Sequence, residues 1–228
     1  MQWEYGNVSR VVQELLLSKP LILASLEMQI VNYSALARLL KKEVENKLGR
    51  KVSEAAVKMA ILRFHDQFTA RVSSVDVLKV IRESTASLID DVGLLTLRGI
   101  DPLTLLSKAL STAPKARLFQ LTQGIRTLTI VTDDDYIDSM LSELERQWIE
   151  AVYRDQAAVV LVSPPDIITT PGVIAYLATL LGFHGVNITQ LISTHTDTLF
   201  IVQREDAIRA YMLLRGAIDA ARLSESKV

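Results

Sequence analysis

An internal repeat constrains the fold of this chain more than any other feature. Residues 127–137 (TLTIVTDDDYI) align with residues 198–208 (TLFIVQREDAI), and six of the eleven positions are identical. Upstream, residues 86–99 resemble residues 151–164, and each stretch predicts a strand, a tight polar turn and a second, more apolar strand. The offset is 71 residues for the first match and 65 for the second, so the second copy holds about six extra residues. A repeat at such a period indicates that one supersecondary unit occurs twice.

Each copy predicts the same order of elements, β-α-β-β-α, because short apolar runs alternate with helical periodicity. In copy one we expect strands at 92–98, 117–122 and 126–132, helices at 101–112 and 135–147, and a fourth strand at 149–154. In copy two we expect strands at 157–162, 186–192 and 198–203, and helices at 172–183 and 206–223. Copy two lacks a last strand. Residues 85–89 are a candidate for it, and that pairing would interlock the copies.

The first 70 residues have helical periodicity instead. One helix is expected from Asn32 or Ser34 to Gly49, and the next begins at Ser53. Their predicted core faces are Leu36, Leu39, Leu40, Val44 and Leu48 in the first helix and Val57, Ile61, Phe64 and Phe68 in the second. Two helices joined by this short turn are compatible with a helix-turn-helix.

We therefore expect an α+β chain. It would consist of a helical domain (1–72) and two ferredoxin-like βαββαβ repeats, at 84–155 and 156–223. Hydrophobic residues make up 49% of the chain, enough for a core. The absence of cysteine excludes disulfides, thiolate metal sites and cysteine nucleophiles. With no apolar run of membrane-spanning length and no visible secretory signal, we expect a cytoplasmic protein.

Copy two resembles the ACT domain, particularly the regulatory half of aspartokinases. The resemblance rests on four landmarks in order: Pro171-Gly172, Gly185-Val186-Asn187-Ile188, Ile192-Ser193-Thr194 and Glu205-Asp206. Copy one resembles a divergent repeat, with Asp101-Pro102 in place of Pro-Gly and Lys115-Ala116-Arg117 where Gly-x-Asn would lie. The resemblance implies a ferredoxin-like sandwich that oligomerises and binds a small ligand, usually an amino acid, at a domain interface.

The stretch from Thr169 to Ile188 has the chemistry for such a ligand. A helix start has spare amides and a positive dipole end for a carboxylate. Asn187 offers a donor and an acceptor on one short side chain. The predicted ligand-binding residues are Thr169, Thr170, Gly172, Val173, Asn187 and Ile188. The structural alternative is that Thr170 caps the helix and Asn187 adopts a special turn conformation.

Other sites have weaker signals. The run Asp133-Asp134-Asp135 has oxygen ligands for a divalent cation, but it suits a helix N-terminus better. His184 and His195 lack a thiol or a carboxylate pair nearby, and His184 suits a helix C-terminus. No nucleophile elbow, P-loop or dinucleotide fingerprint occurs. We expect no enzyme, no cofactor and no metal.

The helical domain carries most of the basic charge. Residues 1–72 hold 11 Lys and Arg against 7 Asp and Glu, whereas the remainder holds 14 against 19. The predicted DNA-binding residues are Arg50, Lys51, Lys58 and Arg63. The alternative is a solvated helix face with Glu43 and Lys47 as an i,i+4 pair. The leading function is an amino-acid-responsive transcriptional regulator that forms homo-oligomers. The alternative is a regulatory or scaffolding subunit of an amino-acid metabolic enzyme, without DNA binding.

Overall fold

The structure is a computed structural model that describes residues 7–27, 30–67, 74–101, 105 and 115–225. The chain divides into two compact units, Met1–Arg71 and Val72–Val228. We call them the helical unit and the sheet unit. Among the described residues, no helix combines the length and the apolar character needed to cross a membrane.

The helical unit contains four described helices. They are α1 Val8–Leu17, α2 Pro20–Glu27, α3 Tyr33–Leu48 and α4 Glu54–Gln67. Helix α3 begins at the Asn32 cap, whose side chain accepts from the amides of Ser34 and Ala35, and it ends at Gly49 in the left-handed conformation. Helix α4 begins where the Ser53 hydroxyl accepts from the Ala56 amide at 3.1 Å. The end at Gly49 and the start at Ser53 are confirmed, and of the two predicted starts of α3 the structure has Asn32.

The core of the helical unit follows the i,i+4 stripe of α3. Leu36, Leu40 and Val44 are buried, as is Ile61 of α4. Leu39 is 65% exposed, so its predicted place in the core was wrong. Buried Ala37 widens the stripe on one side of Leu36 and Leu40. Leu39 lies on the opposite side of the stripe and therefore faces solvent. Phe68 lies outside the described residues.

The sheet unit begins with helix α5 (Ser74–Glu83), which was not predicted from the sequence. The strands are β1 Thr85–Arg98, β2 Phe119–Gln123, β3 Thr127–Asp133, β4 Ile149–Val162, β5 Ile188–Thr194 and β6 Asp197–Gln203. The remaining helices are α6 Asp134–Glu143, α7 Val173–Phe183 and α8 Ala207–Glu225, with 3₁₀ turns at Arg146–Trp148, Pro165–Ile168 and Arg204–Asp206. The antiparallel sheet has the order β2-β3-β1-β4-β6-β5. The chain is therefore α+β. Most of the helix predicted at 101–112 lies outside the described residues.

Strands β1 and β4 have 14 residues each and pair with each other from Thr85↔Val162 to Leu97↔Ile149. The sequence predicted a polar turn within each of these stretches. Instead, each strand runs on through one aspartate with positive φ, 55° at Asp91 and 53° at Asp155. Aspartate adopts this conformation more readily than most residues. The predicted pairing of residues 85–89 with the end of β4 is confirmed.

The two halves of the sheet, residues 85–148 and 149–225, match at a register one residue shorter than the sequence alignment. The burial patterns of β1 and β4 coincide at an offset of 64, and the pairings of β3 and β6 coincide at 70. At the offset of 71 in the sequence alignment, buried Ile137 would match Ile208, which is 72% exposed. A shift of one residue moves strand side chains to the opposite face of the sheet. The sequence alignment, which matched identical residues, was therefore wrong by one position.

Three hydrophobic clusters organise the sheet unit. Helices α5, α7 and α8 cover the second half, where Ile81, Leu177, Phe200 and Leu214 are buried together. Helix α6 covers the first half through Ile137. The third cluster joins residues of both halves: Val92, Leu94 and Val131 with Ala158, Leu199 and Ile201. These side chains alternate along the strands with the helix-facing ones, so both halves contribute their other faces to one shared core.

Candidate functional site

The start of helix α7 lacks a side-chain cap. The amides of Thr169 and Thr170 donate to the Asp166 carbonyl at 3.1 and 3.0 Å, which folds the chain into a turn. Gly172 then takes φ 96° and forms the N-cap position, with no side-chain hydrogen bond to the helix. The expectation that Thr170 caps this helix is therefore wrong, because the helix begins two residues later than that role requires.

The first amides of α7 remain available. The first intrahelical bond runs from the Tyr176 amide to the Gly172 carbonyl at 2.8 Å. Among the described residues, none accepts a hydrogen bond from the amides of residues 173–175. The side chain of Val173 is buried, Thr170 is half-buried and Thr169 is exposed. Free amides at a positive dipole end are suited to a carboxylate.

Asn187 lies beyond the other end of α7. Gly185 ends the helix with φ 73°, and the Val186 amide donates to the Leu181 carbonyl at 3.1 Å. Asn187 is exposed and does not have positive φ, so the special turn conformation proposed for it is wrong. Helix α7 has 11 residues and a length of roughly 16 Å. Within one chain the structure therefore does not bring Asn187 and Ile188 together with Thr169, Thr170, Gly172 and Val173.

The stretch of the first half that aligns with Gly-x-Asn in the sequence is closed by a salt bridge. Arg117 aligns with Asn187 in the sequence, although the bulge of β5 between Ile188 and Gln190 shifts the strand register by one residue, so that Phe119 pairs as Ile188 does. The amide and Nε of Arg117 donate to the Asp133 carboxylate at 2.8 and 2.9 Å, and its Nη2 donates to the Asp90 carbonyl at 2.8 Å. Asp133 is only 7% exposed. It occupies the N-cap position of α6, but its carboxylate binds Arg117 instead of capping the helix.

A cavity of about 600 Å³ lies beside this salt bridge. Its lining is Asp91, Lys115, Arg117, Asp133, Asp134, Asp135, Tyr136 and Ser139. Among the described residues, no cluster of three or more His, Cys, Asp or Glu side chains is arranged to hold a metal ion. His184 donates through its Nδ1–H to the Leu180 carbonyl, 2.8 Å away, which confirms its place at a helix C-terminus.

The four basic residues predicted to contact DNA lie in the turn before α4 and on two different sides of that helix. Arg50 and Lys51 are exposed in the turn between α3 and α4. Lys58 and Arg63 are five residues apart on α4, which separates them by about 140° around the helix axis. Arg63 donates to the Met59 carbonyl at 3.3 Å and lines a cavity of about 430 Å³ together with residues of α1.

The expected pair of Glu43 with Lys47 does not form. Lys47 pairs with Glu14 at 3.6 Å, and Glu43 pairs with Lys19 at 3.3 Å. The first pair connects α3 to α1, and the second connects α3 to the segment between α1 and α2.

The comparison with family models identifies an ACT domain at residues 151–216. This range contains β4 nearly from its start, both ends of α7 and most of α8. No curated protein matches the chain by sequence.

Solved structures of similar fold include aspartate kinases. The aspartate kinase of Clostridium acetobutylicum has a TM-score of 0.50 at 17% identity, over 59% of this chain and 34% of that enzyme. The regulatory subunit of aspartate kinase from Thermus thermophilus, free of ligand, has a TM-score of 0.47 at 20% identity, over 58% and 95%. E. coli aspartokinase III with lysine and aspartate has a TM-score of 0.45 at 17% identity, over 59% and 32%. At 17% identity, the likeness to the Clostridium acetobutylicum enzyme concerns the fold alone.

Proposed function

We propose that this protein is a non-catalytic regulator that responds to an amino acid, and that the sheet unit consists of two ferredoxin-like ACT repeats. One observation carries the proposal. Within the stretch that matches an ACT domain, α7 begins with free amides directly after a glycine in the left-handed conformation. That arrangement suits the carboxylate of a small zwitterion, because the amides are oriented and need no rearrangement.

The ligand site forms between two copies of the chain. Thr169, Thr170, Gly172 and Val173 of one copy bind the carboxylate. Asn187 and Ile188 of the second copy contact the rest of the ligand. Two facts support this division. Asn187 is exposed at the start of β5, which is an edge of the described sheet, and it lies far from the helix start of its own chain. Ligand binding and oligomerisation are then linked.

A thermal-shift panel of the common amino acids tests the site. A ligand present at 100 times its Kd adds about 2.7 kcal/mol to the free energy of unfolding. The shift is expected to grow with protein concentration, since both copies build the site. A panel without any shift would contradict ligand binding. A shift that does not depend on protein concentration would contradict the division between copies.

The helical unit is the output of this regulator, and we propose that it contacts DNA in the cytoplasm through Arg50, Lys51, Lys58 and Arg63. Ligand binding in the sheet unit would change how two helical units are presented to DNA half-sites. Phosphate contacts make affinity fall steeply as salt rises. Reversing the charge of exposed Arg50 and Lys51 should abolish DNA binding without unfolding the unit. Unchanged DNA binding by this variant would contradict the proposal.

The alternative output is docking on a metabolic enzyme, as a regulatory or scaffolding subunit. It is favoured by the exposed face of α4 between Lys58 and Arg63, which carries Met59 (52% exposed) and Asp66. Met59, and separately the exposed Leu39 of α3, offer apolar contacts of the kind that protein interfaces use. Met59→Glu would weaken such docking and leave DNA binding intact, whereas the charge reversal at Arg50 and Lys51 would have the opposite result.

A further inference from the structure

An ion pair joins the two halves of the sheet unit at the bend of β1. Arg204 follows β6 in the second half, and its Nη2 lies 3.0 Å from Asp90 Oδ2 and 2.8 Å from Asp91 Oδ1 in the first half. The hydrogen bond with Asp90 and the nearby carboxylates raise the pKa of the Arg204 guanidinium. All three side chains are about half exposed.

A second ion pair also joins the halves. In this pair the arginine lies on the long strand β4, and the aspartates follow β3 of the first half. Arg154 on β4 donates through Nη1 to Asp134 Oδ1 at 2.8 Å and to the Asp134 carbonyl at 2.9 Å, and its Nη2 pairs with Asp138. Burial lowers the pKa of Arg154, but the hydrogen bonds and charges of Asp134 and Asp138 outweigh it and raise that pKa. Asp134 is held close over β1: a methyl group at Gly93 would lie 2.5 Å from its Oδ1.

The two ion pairs occupy matching positions with their charges exchanged. The offset of 64 between β1 and β4 relates Asp90 to Arg154. The offset of 70 between β3 and β6 relates Asp134 to Arg204. The first half therefore carries an aspartate at both positions, and the second half carries an arginine at both. Only a pairing of unlike halves places opposite charges together.

From this arrangement we propose that the reciprocal ion pairs select the second half as the partner of the first and exclude the like half of another copy. Because β1 and β4 are equivalent strands, β1 of one chain has the shape to pair with β1 of a second chain, and β4 with β4. That dimer would place Asp90 against Asp134 of the other copy, and Arg154 against Arg204. Like charges opposed at an interface suppress the wrong partner. The proposal depends on neither the ligand nor DNA.

Exchanging the charges of one ion pair tests whether these pairs select the partner of each half. The variant Asp90→Arg/Asp91→Asn/Arg204→Asp keeps opposite charges within the chain, and the asparagine introduced at position 91 tolerates positive φ. In the dimer of like halves, the arginine introduced at position 90 would now face Asp134. The aspartate introduced at position 204 would face Arg154. That dimer is therefore no longer excluded.

An introduced disulfide can detect the dimer in which β1 pairs with β1 of a second chain, because the chain has no cysteine of its own. In a β1–β1 pair, Ser87 of one chain would lie opposite Thr96 of the other, whereas within one chain these residues are roughly 30 Å apart along the strand. Ser87→Cys/Thr96→Cys therefore reports only the like pairing. Ser87→Cys/Val160→Cys reports the native pairing, since Ser87 lies opposite Val160.

The expected result is at least a tenfold increase in disulfide-linked dimer for the one-pair exchange relative to the parent charges. The matched control adds Asp134→Arg, Asp138→Asn and Arg154→Asp. With both pairs exchanged, like charges again oppose each other in the dimer, and cross-linking should return to the parent level. Equal cross-linking in the parent and the one-pair exchange would overturn the proposal, as would persistent cross-linking in the control. If the one-pair exchange does not fold, Asp134→Arg/Asp138→Asn/Arg154→Asp alone makes the same test.

Discussion

Arg117 and Asn187 align in the sequence repeat, just before the edge strands of the two halves of the sheet unit, and the halves use these segments in opposite ways. Arg117 is bound by buried Asp133 and by the Asp90 carbonyl. Asn187 is exposed directly before the edge strand β5. The first half therefore uses this segment for its own packing, and the second half leaves it open for a partner. A repeated fold can in this way divide stability and binding between its two copies.

The largest expected effect comes from removing the carboxylate that closes the first half. Asp133→Ala leaves the amide and guanidinium of Arg117 without their acceptor, so we expect a loss of about 2–3 kcal/mol in the free energy of unfolding. Gln203 is the matching residue of the second half and is exposed. Gln203→Ala should cost less than about 0.5 kcal/mol. Urea unfolding of both variants measures the difference, and equal losses would contradict the comparison.

The next effect concerns ligand binding. Asn187→Ala should weaken the stabilisation by an amino acid by about 1–2 kcal/mol, the usual cost of one lost polar contact to a charged ligand. Arg117→Ala should lower the stability of the free protein but leave that ligand-dependent shift unchanged. Thermal shifts with and without the amino acid separate the two results. A lost shift in Arg117→Ala would move the ligand site to the first half.

Much of the fold could be predicted from the sequence because its signals are local. The caps at Asn32 and Ser53 and the ends at Gly49 and Gly185 depend on residues within one turn of the helix. The interlocked strands could be predicted as well, because copy two lacked a last strand and residues 85–89 had strand character.

The errors arose where several residue patterns compete or where distance in space matters. Identical letters aligned Ile137 with Ile208, although strand pairing places them one position apart. Asp91 and Asp155 read as turn residues, but each lies at an irregularity within one continuous strand, and pairing resumes at the next residue, Val92 and Gln156. Asn187 is separated from the start of α7 by the whole length of that helix. Choosing ligand-binding residues by their chemistry alone does not take this distance into account.

A smaller effect is expected from the two glycines of the α7 region. Gly172 has φ 96°, so Gly172→Ala should cost about 1 kcal/mol in the free energy of unfolding. It should also weaken the amino-acid shift, because the strained turn would displace the helix start. Gly182, in the last turn of the same helix, has open space around it. Gly182→Ala should stabilise the protein by about 0.5–1 kcal/mol and leave the shift unchanged. Opposite signs in chemical unfolding would support this contrast, and equal destabilisation would contradict it.

The smallest effect concerns the loop before α7, which helix α5 holds through Lys79 and Asp166 at 3.0 Å. The hydrogen bond to Asp166, with its charge, raises the pKa of Lys79 above its ordinary value of 10.5. The charged lysine is therefore favoured in the folded state. Its contribution is present at neutral pH and is lost as pH rises through the raised pKa. Since both side chains are exposed, Lys79→Gln should lower the Tm only slightly at pH 7, and less in high salt. The parent and the variant should converge at strongly alkaline pH. The amino-acid shift should persist in Lys79→Gln, because Lys79 holds the loop and not the ligand; its loss would place α5 in the binding site itself.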